Sequence, residues 1–254
     1  MLMSFSVMKY FFLSFFSLFL FSLLPCNAQS NPDNIIQKKV EHIIKNYDWG
    51  GLLKYQEENI NLLSSFKSKS IIVLMGDSIT EGWSYYDSGF LENNNLINRG
   101  YSGQTTSQML LRFRKDVIAL NPKAVVILAG INDIAKNTNF YDLKTVADNI
   151  FSMVELSIAH DIIPIICSVL PADKFVWNPK IVPTQKVIDL NIMLESYARK
   201  NNVMYLDYYS VMHNGKGGLK SRFTNDGVHL TMEGYEMLSN QILQAIKRLN
   251  TSPH

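Results

Sequence analysis

A serine, a histidine and an aspartate stand where a folded chain could use them together. Ser78 leaves the short apolar, β-branched run 71–75 through Gly76-Asp77. A serine at such a turn lies at the carboxyl edge of a sheet, where open α/β folds carry their sites. Its hydroxyl becomes a nucleophile beside a base. Without one, Ser78 would only cap the helix that Asp77, Ser78 and Thr80 begin. His229 is the best-placed base of the five histidines. His42 and His160 fall on helical segments, His254 ends the sequence, and His213 has no acid near it along the chain. Asp226 precedes His229 by three residues, so a turn can bring its carboxylate to one ring nitrogen and leave the other facing Ser78. A plain surface turn would be spelled the same way. Asn132, in Gly130-Ile131-Asn132-Asp133, follows the third apolar run, and its amide could donate to a developing oxyanion. Capping of the following helix is the competing role, and the one expected for Asp133. Gly103 offers a backbone N–H that a substrate can approach closely, or is simply a turn residue.

Those residues need a scaffold, and the apolar patterning supplies one. Apolar runs at 71–75, 96–97, 124–129, 162–169 and 203–206 read as strands. Between them lie helical patterns. Met109, Leu110, Phe113 and Val117 mark one. Val146, Ile150, Val154 and Ile158 mark another over 142–160, a third runs over 185–200, and Tyr235, Leu238, Ile242 and Ile246 mark a fourth over 231–249. Ahead of the first strand, Ile35, Ile36, Val40, Ile43, Ile44 and Tyr47 predict an amphipathic helix, and Leu52, Tyr55 and Ile60 a shorter one that breaks at Ser64-Ser65. Pro171 to Pro183 is loop, and a glycine-rich loop (Gly215, Gly217, Gly218) leads to Asp226. Short strands that are apolar on both faces and alternate with helices call for a parallel sheet covered on both sides. The expectation is α/β: a doubly wound three-layer α/β/α sandwich on a parallel five-stranded sheet, forming one domain over 29–254.

Bulk composition agrees with a globular protein. The chain has 254 residues, 47% of them hydrophobic and 18% charged, with a net charge of +2. A nearly neutral balance without a basic run gives no reason to expect nucleic acid or an anionic membrane surface as partner. Residues 1–28 differ from the rest. Lys9 precedes an aromatic and leucine-rich run to Leu24, then Pro25-Cys26-Asn27-Ala28 offers a cleavage site after Ala28. This reads as a signal peptide that sends the protein to the periplasm or the exterior. The run is short for a membrane anchor, and Pro25 before Cys26 suits lipid attachment poorly. Removal of the signal would leave Cys167 alone, with no intramolecular disulfide, as a small hydrophobe in a strand.

Gly76-Asp77-Ser78, Gly103, Gly130-Ile131-Asn132-Asp133 and Asp226-Gly227-Val228-His229 resemble, in order and strand context, the four blocks of the SGNH (GDSL) hydrolase family. Each block is short; together they span most of the chain. The resemblance implies a flavodoxin-like fold and a serine esterase that needs neither metal nor organic cofactor. It implies Ser78 as nucleophile, His229 as base and Asp226 as its orienting acid. The N–H groups of Ser78 and Gly103 and the side chain of Asn132 would form the oxyanion hole. Many members carry an acid where this chain has Gln104, and a proline where it has Leu230. Neither departure removes a catalytic group; both bear on the neighbouring pocket walls. The substrate class implied is a small-molecule or glycan ester of a short acyl group, acetyl above all. A lysophospholipase or thioesterase, and an O-acyltransferase using the same acyl-enzyme, are the other activities this residue set serves. A glycan-binding module on the same fold would be expected to have lost Ser78, Asn132 or His229. Phe175, Trp177 and Trp83 either line a pocket or pack in the core.

Overall fold

The computed structural model describes residues 47–64, 71–138 and 142–251. The expected signal at 1–28 and most of the first helical pattern lie outside them; Tyr47, the last residue of that pattern, is exposed. Five strands form one parallel sheet: β1 (Ile72–Gly76), β2 (Leu96–Gly100), β3 (Ala124–Leu128), β4 (Ile163–Cys167) and β5 (Met204–Leu206), in the order β2-β1-β3-β4-β5. Alternation along β1 sends Val73 and Met75 to one face and Ile72 and Leu74 to the other, all buried. On the first face they meet α4 (Thr106–Asp116), α6 (Leu143–Ile158) and α7 (Thr184–Lys200), with Phe113, Ile150 and Leu190 in contact. On the second they meet α2 (Ser78–Tyr86) and α9 (Met232–Thr251), through Trp83, Leu238 and Ile242. The result is the three-layer α/β/α sandwich that the apolar runs predict.

The remaining helices are short: α1 (Gln56–Ser64), α3 (Ser88–Asn93), α5 (Ile131–Ile134) and α8 (Tyr208–Met212). Helix α1 ends at Ser64 as expected, and Tyr55, just before its start, is buried, but the structure corrects the other two residues of the stripe. Leu52 and Ile60 face solvent, while Asn59 is buried. The reason is Arg99, which β2 buries almost completely. A buried charge must be hydrogen-bonded. Asn59 Oδ1 accepts from Arg99 Nε and Nη2 at 3.0 and 2.7 Å, and Glu58 accepts from Nη1 at 2.8 Å.

Gly76 ends β1 where helix α2 folds back over the strand. A Cβ there would lie 2.0 Å from Thr80 Oγ1, so only glycine permits this close turn. Cys167 is buried in β4, and desolvation pushes its thiol up to about 12, which leaves it un-ionised. No helix among the described residues is long and apolar enough to cross a membrane.

Candidate active site

Ser78 is the first residue of α2, immediately beyond β1. Asp77 caps that helix, its Oδ1 accepting from the Ile79 N–H at 3.0 Å. The cap is therefore made by Asp77, and the Ser78 hydroxyl is left for another partner. That partner is His229: Ser78 Oγ lies 3.1 Å from Nε2. Burial pushes the Asp77 carboxyl up to about 7, against the Ile79 N–H and nearby His229, which favour its ionised form.

The histidine sits on a turn organised almost entirely by its own residues. Asp226 Oδ2 accepts from His229 Nδ1 at 2.7 Å, while Oδ1 accepts from the N–H groups of Val228 and His229 at 2.9 and 2.8 Å. Thr224 Oγ1 donates to the His229 carbonyl at 2.7 Å and accepts from Gly227 N–H, and Thr224 pairs with Leu230 in an antiparallel bridge. Burial works to raise the Asp226 carboxyl, but the donors gathered on it outweigh burial and hold it below the usual range. An ionised carboxylate can only accept, so the imidazole proton resides on Nδ1. The Nε2 lone pair then faces the serine hydroxyl.

The opposite side of Ser78 is built from the ends of β1, β2 and β3. Gly103 follows β2 with φ +78°, a left-handed conformation that glycine adopts without strain. Its N–H and that of Ser78, an orphan donor at a helix start, have no protein acceptor among the described residues. Asn132 lies in α5 after β3; its Nδ2 donates to the Gln104 carbonyl at 3.1 Å. Its Oδ1 accepts from Asn137 Nδ2 at 3.0 Å, and Asn137 also reaches the Gly103 carbonyl at 3.0 Å. The Asn137 bond fixes which end of the Asn132 amide carries the donors.

One expectation is corrected here. Asp133 does cap a helix, but a distant one: it accepts from Thr106 N–H and Oγ1 at the start of α4, at 2.9 and 2.7 Å. Burial pushes its carboxyl up to about 6. The two departures from the family pattern, Gln104 and Leu230, both fall on buried side chains. Leu230 is buried in the core. Gln104 is buried too, its Oε1 accepting from Arg112 Nε at 2.6 Å and its Nε2 donating to Gly50 O at 3.0 Å. Arg112 is wholly buried. It also donates to the carbonyls of Gly76 and Arg99 (3.1 and 2.9 Å) and pairs with Asp116 at 3.0 Å. Asp116 in turn accepts from Asn59 at 2.8 Å. One guanidinium thus touches the turn before Ser78, the residue after Gly103 and the end of β2.

Further residues at this site carry no signal in sequence. Glu81, one turn along α2 from Ser78, accepts from Ser102 N–H at 2.8 Å and from its hydroxyl, and pairs with Lys54. It ties the Gly103 loop to the serine's helix. Burial would raise the Glu81 carboxyl, yet Lys54 and Ser102 together hold it low. Of the three aromatic candidates, Trp83 and Phe175 are core residues; Trp177 is exposed, with its ring 6.0 Å from that of His229. No cluster of three or more His, Cys, Asp or Glu that could hold a metal occurs among the described residues. A cavity of about 590 Å³ opens at the β2 edge beside Ser84 and Asn98, and none of the candidate site residues lines it.

A family model and solved structures identify one family. Residues 74–237 match the model of the GDSL-like lipase/acylhydrolase family. An acylhydrolase structure from Bacteroides fragilis is 45% identical, covers 79% of this chain and 97% of its own, and superposes with a TM-score of 0.76. A GDSL-like lipase from Bacteroides thetaiotaomicron is 43% identical over 78% and 98%, also at 0.76. An acetylxylan esterase from Geobacillus stearothermophilus, 20% identical over 70% and 94% at 0.58, shares the fold. The chain spans less than half the length of the curated relatives it matches; one is a lipoprotein of Bacillus subtilis, 32% identical over 117 residues, 39% of this chain and 48% of that one. The chain belongs to the GDSL-like lipase/acylhydrolase family of SGNH hydrolases.

Proposed function

We propose that this protein is an exported serine esterase that removes short acyl groups, acetyl above all, from carbohydrate hydroxyls. The observation that carries the reading is the line of contacts Ser78 Oγ, His229 Nε2, His229 Nδ1, Asp226 Oδ2, at 3.1 and 2.7 Å. Ser78 Oγ attacks the ester carbonyl as its proton passes to Nε2. Asp226 holds the imidazole in the required tautomer and stabilises the imidazolium. The negative charge moves to the carbonyl oxygen, where the N–H groups of Ser78 and Gly103 and the Asn132 amide donate to it. Nε2 then returns its proton to the departing alkoxide oxygen as the C–O bond breaks. Water, deprotonated by the same nitrogen, cleaves the acyl-serine. No metal or organic cofactor enters.

The openness of the site favours a small acyl group on a bulky alcohol: His229 is about half exposed, at 48% of its side chain, and Ser102, Gly103 and Asn137 are exposed around it. The fold shared with an acetylxylan esterase is in keeping with a carbohydrate ester. Export rests on the signal-like residues 1–28, and the likeness to a lipoprotein points the same way. The test is hydrolysis of p-nitrophenyl acetate, butyrate and octanoate by the chain from Gln29, beside its Ser78→Ala variant. Turnover is expected to fall with acyl length and to vanish in the variant. A preference for octanoate would replace the carbohydrate ester by a lipid. Equal turnover in the variant would remove Ser78 from the chemistry.

A further inference from the structure

We propose that Trp177 is the platform of a sugar-binding subsite on the leaving-group side of the site, an inference that rests on the esterase reading above. In acyl transfer, the nitrogen that accepts the serine proton later delivers it to the departing alcohol oxygen. The alcohol part of the substrate must therefore lie beside the imidazole of His229. The Trp177 ring stands there, its centroid 6.0 Å from that of His229 and its plane tilted by 41°. The two rings do not stack, so neither uses up the other's face.

Trp177 is held for this position rather than for the core. Phe175, fully buried, backs the indole at 5.1 Å, and 45% of the tryptophan surface remains open to solvent. The turn that presents it is pinned at both ends. The Asn178 N–H donates to the Phe175 carbonyl at 3.1 Å, and the Asn178 side chain reaches the Ala135 carbonyl at 3.3 Å. Ala135 closes the short helix that carries Asn132. The platform is thereby fixed to the same segment as a proposed oxyanion donor while facing the base.

Its chemistry fits a pyranose ring. An indole presents a flat apolar body with a polar edge, which matches the C–H face of a sugar whose hydroxyls point outward. A polar residue follows it in the chain, the half-buried Asn178, and the Lys174 stem and Asp173 carboxylate pass next to Gly227, two residues from His229. An alkyl chain would call for continuous apolar walls. Here the large apolar side chains exposed on this loop are Val176, the indole and, five residues beyond it, Val182.

The test compares acetate esters of methyl xylopyranoside and methyl glucopyranoside with ethyl acetate, in wild type, Trp177→Phe and Trp177→Ala. The ratio of kcat/KM for the sugar acetates to that for ethyl acetate is expected to fall about tenfold in Trp177→Ala, mainly through KM, and to be largely kept in Trp177→Phe. An unchanged ratio would overturn the proposal, as would an equal loss on all three esters, which would mean that Trp177 only supports His229. Saturation-transfer NMR of the same sugar acetates on Ser78→Ala, with and without Trp177→Ala, reads the platform without catalysis. Binding that needs Trp177 in an enzyme inert to all esters would refute the esterase reading alone. Binding indifferent to Trp177 would refute the platform alone.

Discussion

The two sides of Ser78 are held by different kinds of bond. On one side, Gly103 and Asn132 stand on strand ends and are fixed by buried contacts between residues far apart in sequence: Arg112 to Gly76, Gln104 to Gly50, Asp133 to Thr106. On the other, His229 stands on a turn whose ties run three to five residues, Asp226 to His229 and Thr224 to the His229 carbonyl. The first side is part of the core and exists only when the sheet is assembled. The second is a local, half-exposed device set against it. Damage to the core side is therefore expected to be felt as stability, and damage to the turn as rate.

Asp226→Asn is expected to mark the extreme of the rate side. It leaves the turn's size unchanged but removes the carboxylate that sets the imidazole tautomer, so kcat should fall about ten-thousand-fold. The melting temperature should move little; a large drop would show that the turn is tied into the core after all. Arg112→Met is the counterpart. It strands the Asp116 carboxylate, 1% exposed, without its partner, and a broken buried pair typically costs about 3–5 kcal/mol, readable by urea unfolding. A variant as stable as wild type would mean that the network is dispensable. Asn132→Ala lies between: loss of one oxyanion donor should lower kcat roughly a hundred- to a thousand-fold, with KM nearly constant. Unchanged turnover would take Asn132 out of the mechanism.

A further effect expected is a pH dependence on the core side. An acid whose folded pKa is raised keeps its proton in the folded chain after the unfolded chain has lost it. Stability then falls as pH rises from the ordinary carboxylate range, 3.8 for Asp77, through about 7. Charged neighbours facing Asp77 are His229 and Asp133. Asp77→Asn removes this titration and keeps an oxygen for the Ile79 N–H. Its melting temperature relative to wild type should rise between about pH 4 and about pH 8. A difference flat with pH would show that Asp77 stays ionised throughout.

The same contrast explains what could be read from the sequence. All five strands were legible, because a parallel sheet covered on both faces buries consecutive apolar residues. The Asp226–His229 pair was legible because its geometry is local. Arg112, Asn137 and Glu81 were not, since each reaches the site through a residue more than 20 positions away: Gly76, Gly103 and Ser102. The stripe over 52–60 held for Tyr55 but failed at Ile60, because a buried arginine on β2 claims Asn59 beside it. Phe175, Trp83 and Trp177 were indistinguishable as letters. Nothing in a sequence marks which aromatic the fold leaves in solvent.

The parallel register has a final consequence. Gly76 pairs with Gly100 on one side and Leu128 on the other, so the proposed donors at Ser78, Gly103 and Asn132 hang from three adjacent, aligned strands. Neighbouring strands in any sheet lie about 4.8 Å apart. The sheet acts as a ruler, and the spacing of the segments that lead to these donors is set by backbone pairing. Substitution at Asn132 can remove or move its donor but leaves the spacing of the strands unchanged. Preference among esters must then be written elsewhere, on the loops 171–183 and 213–231 that overhang the ruler without being part of it.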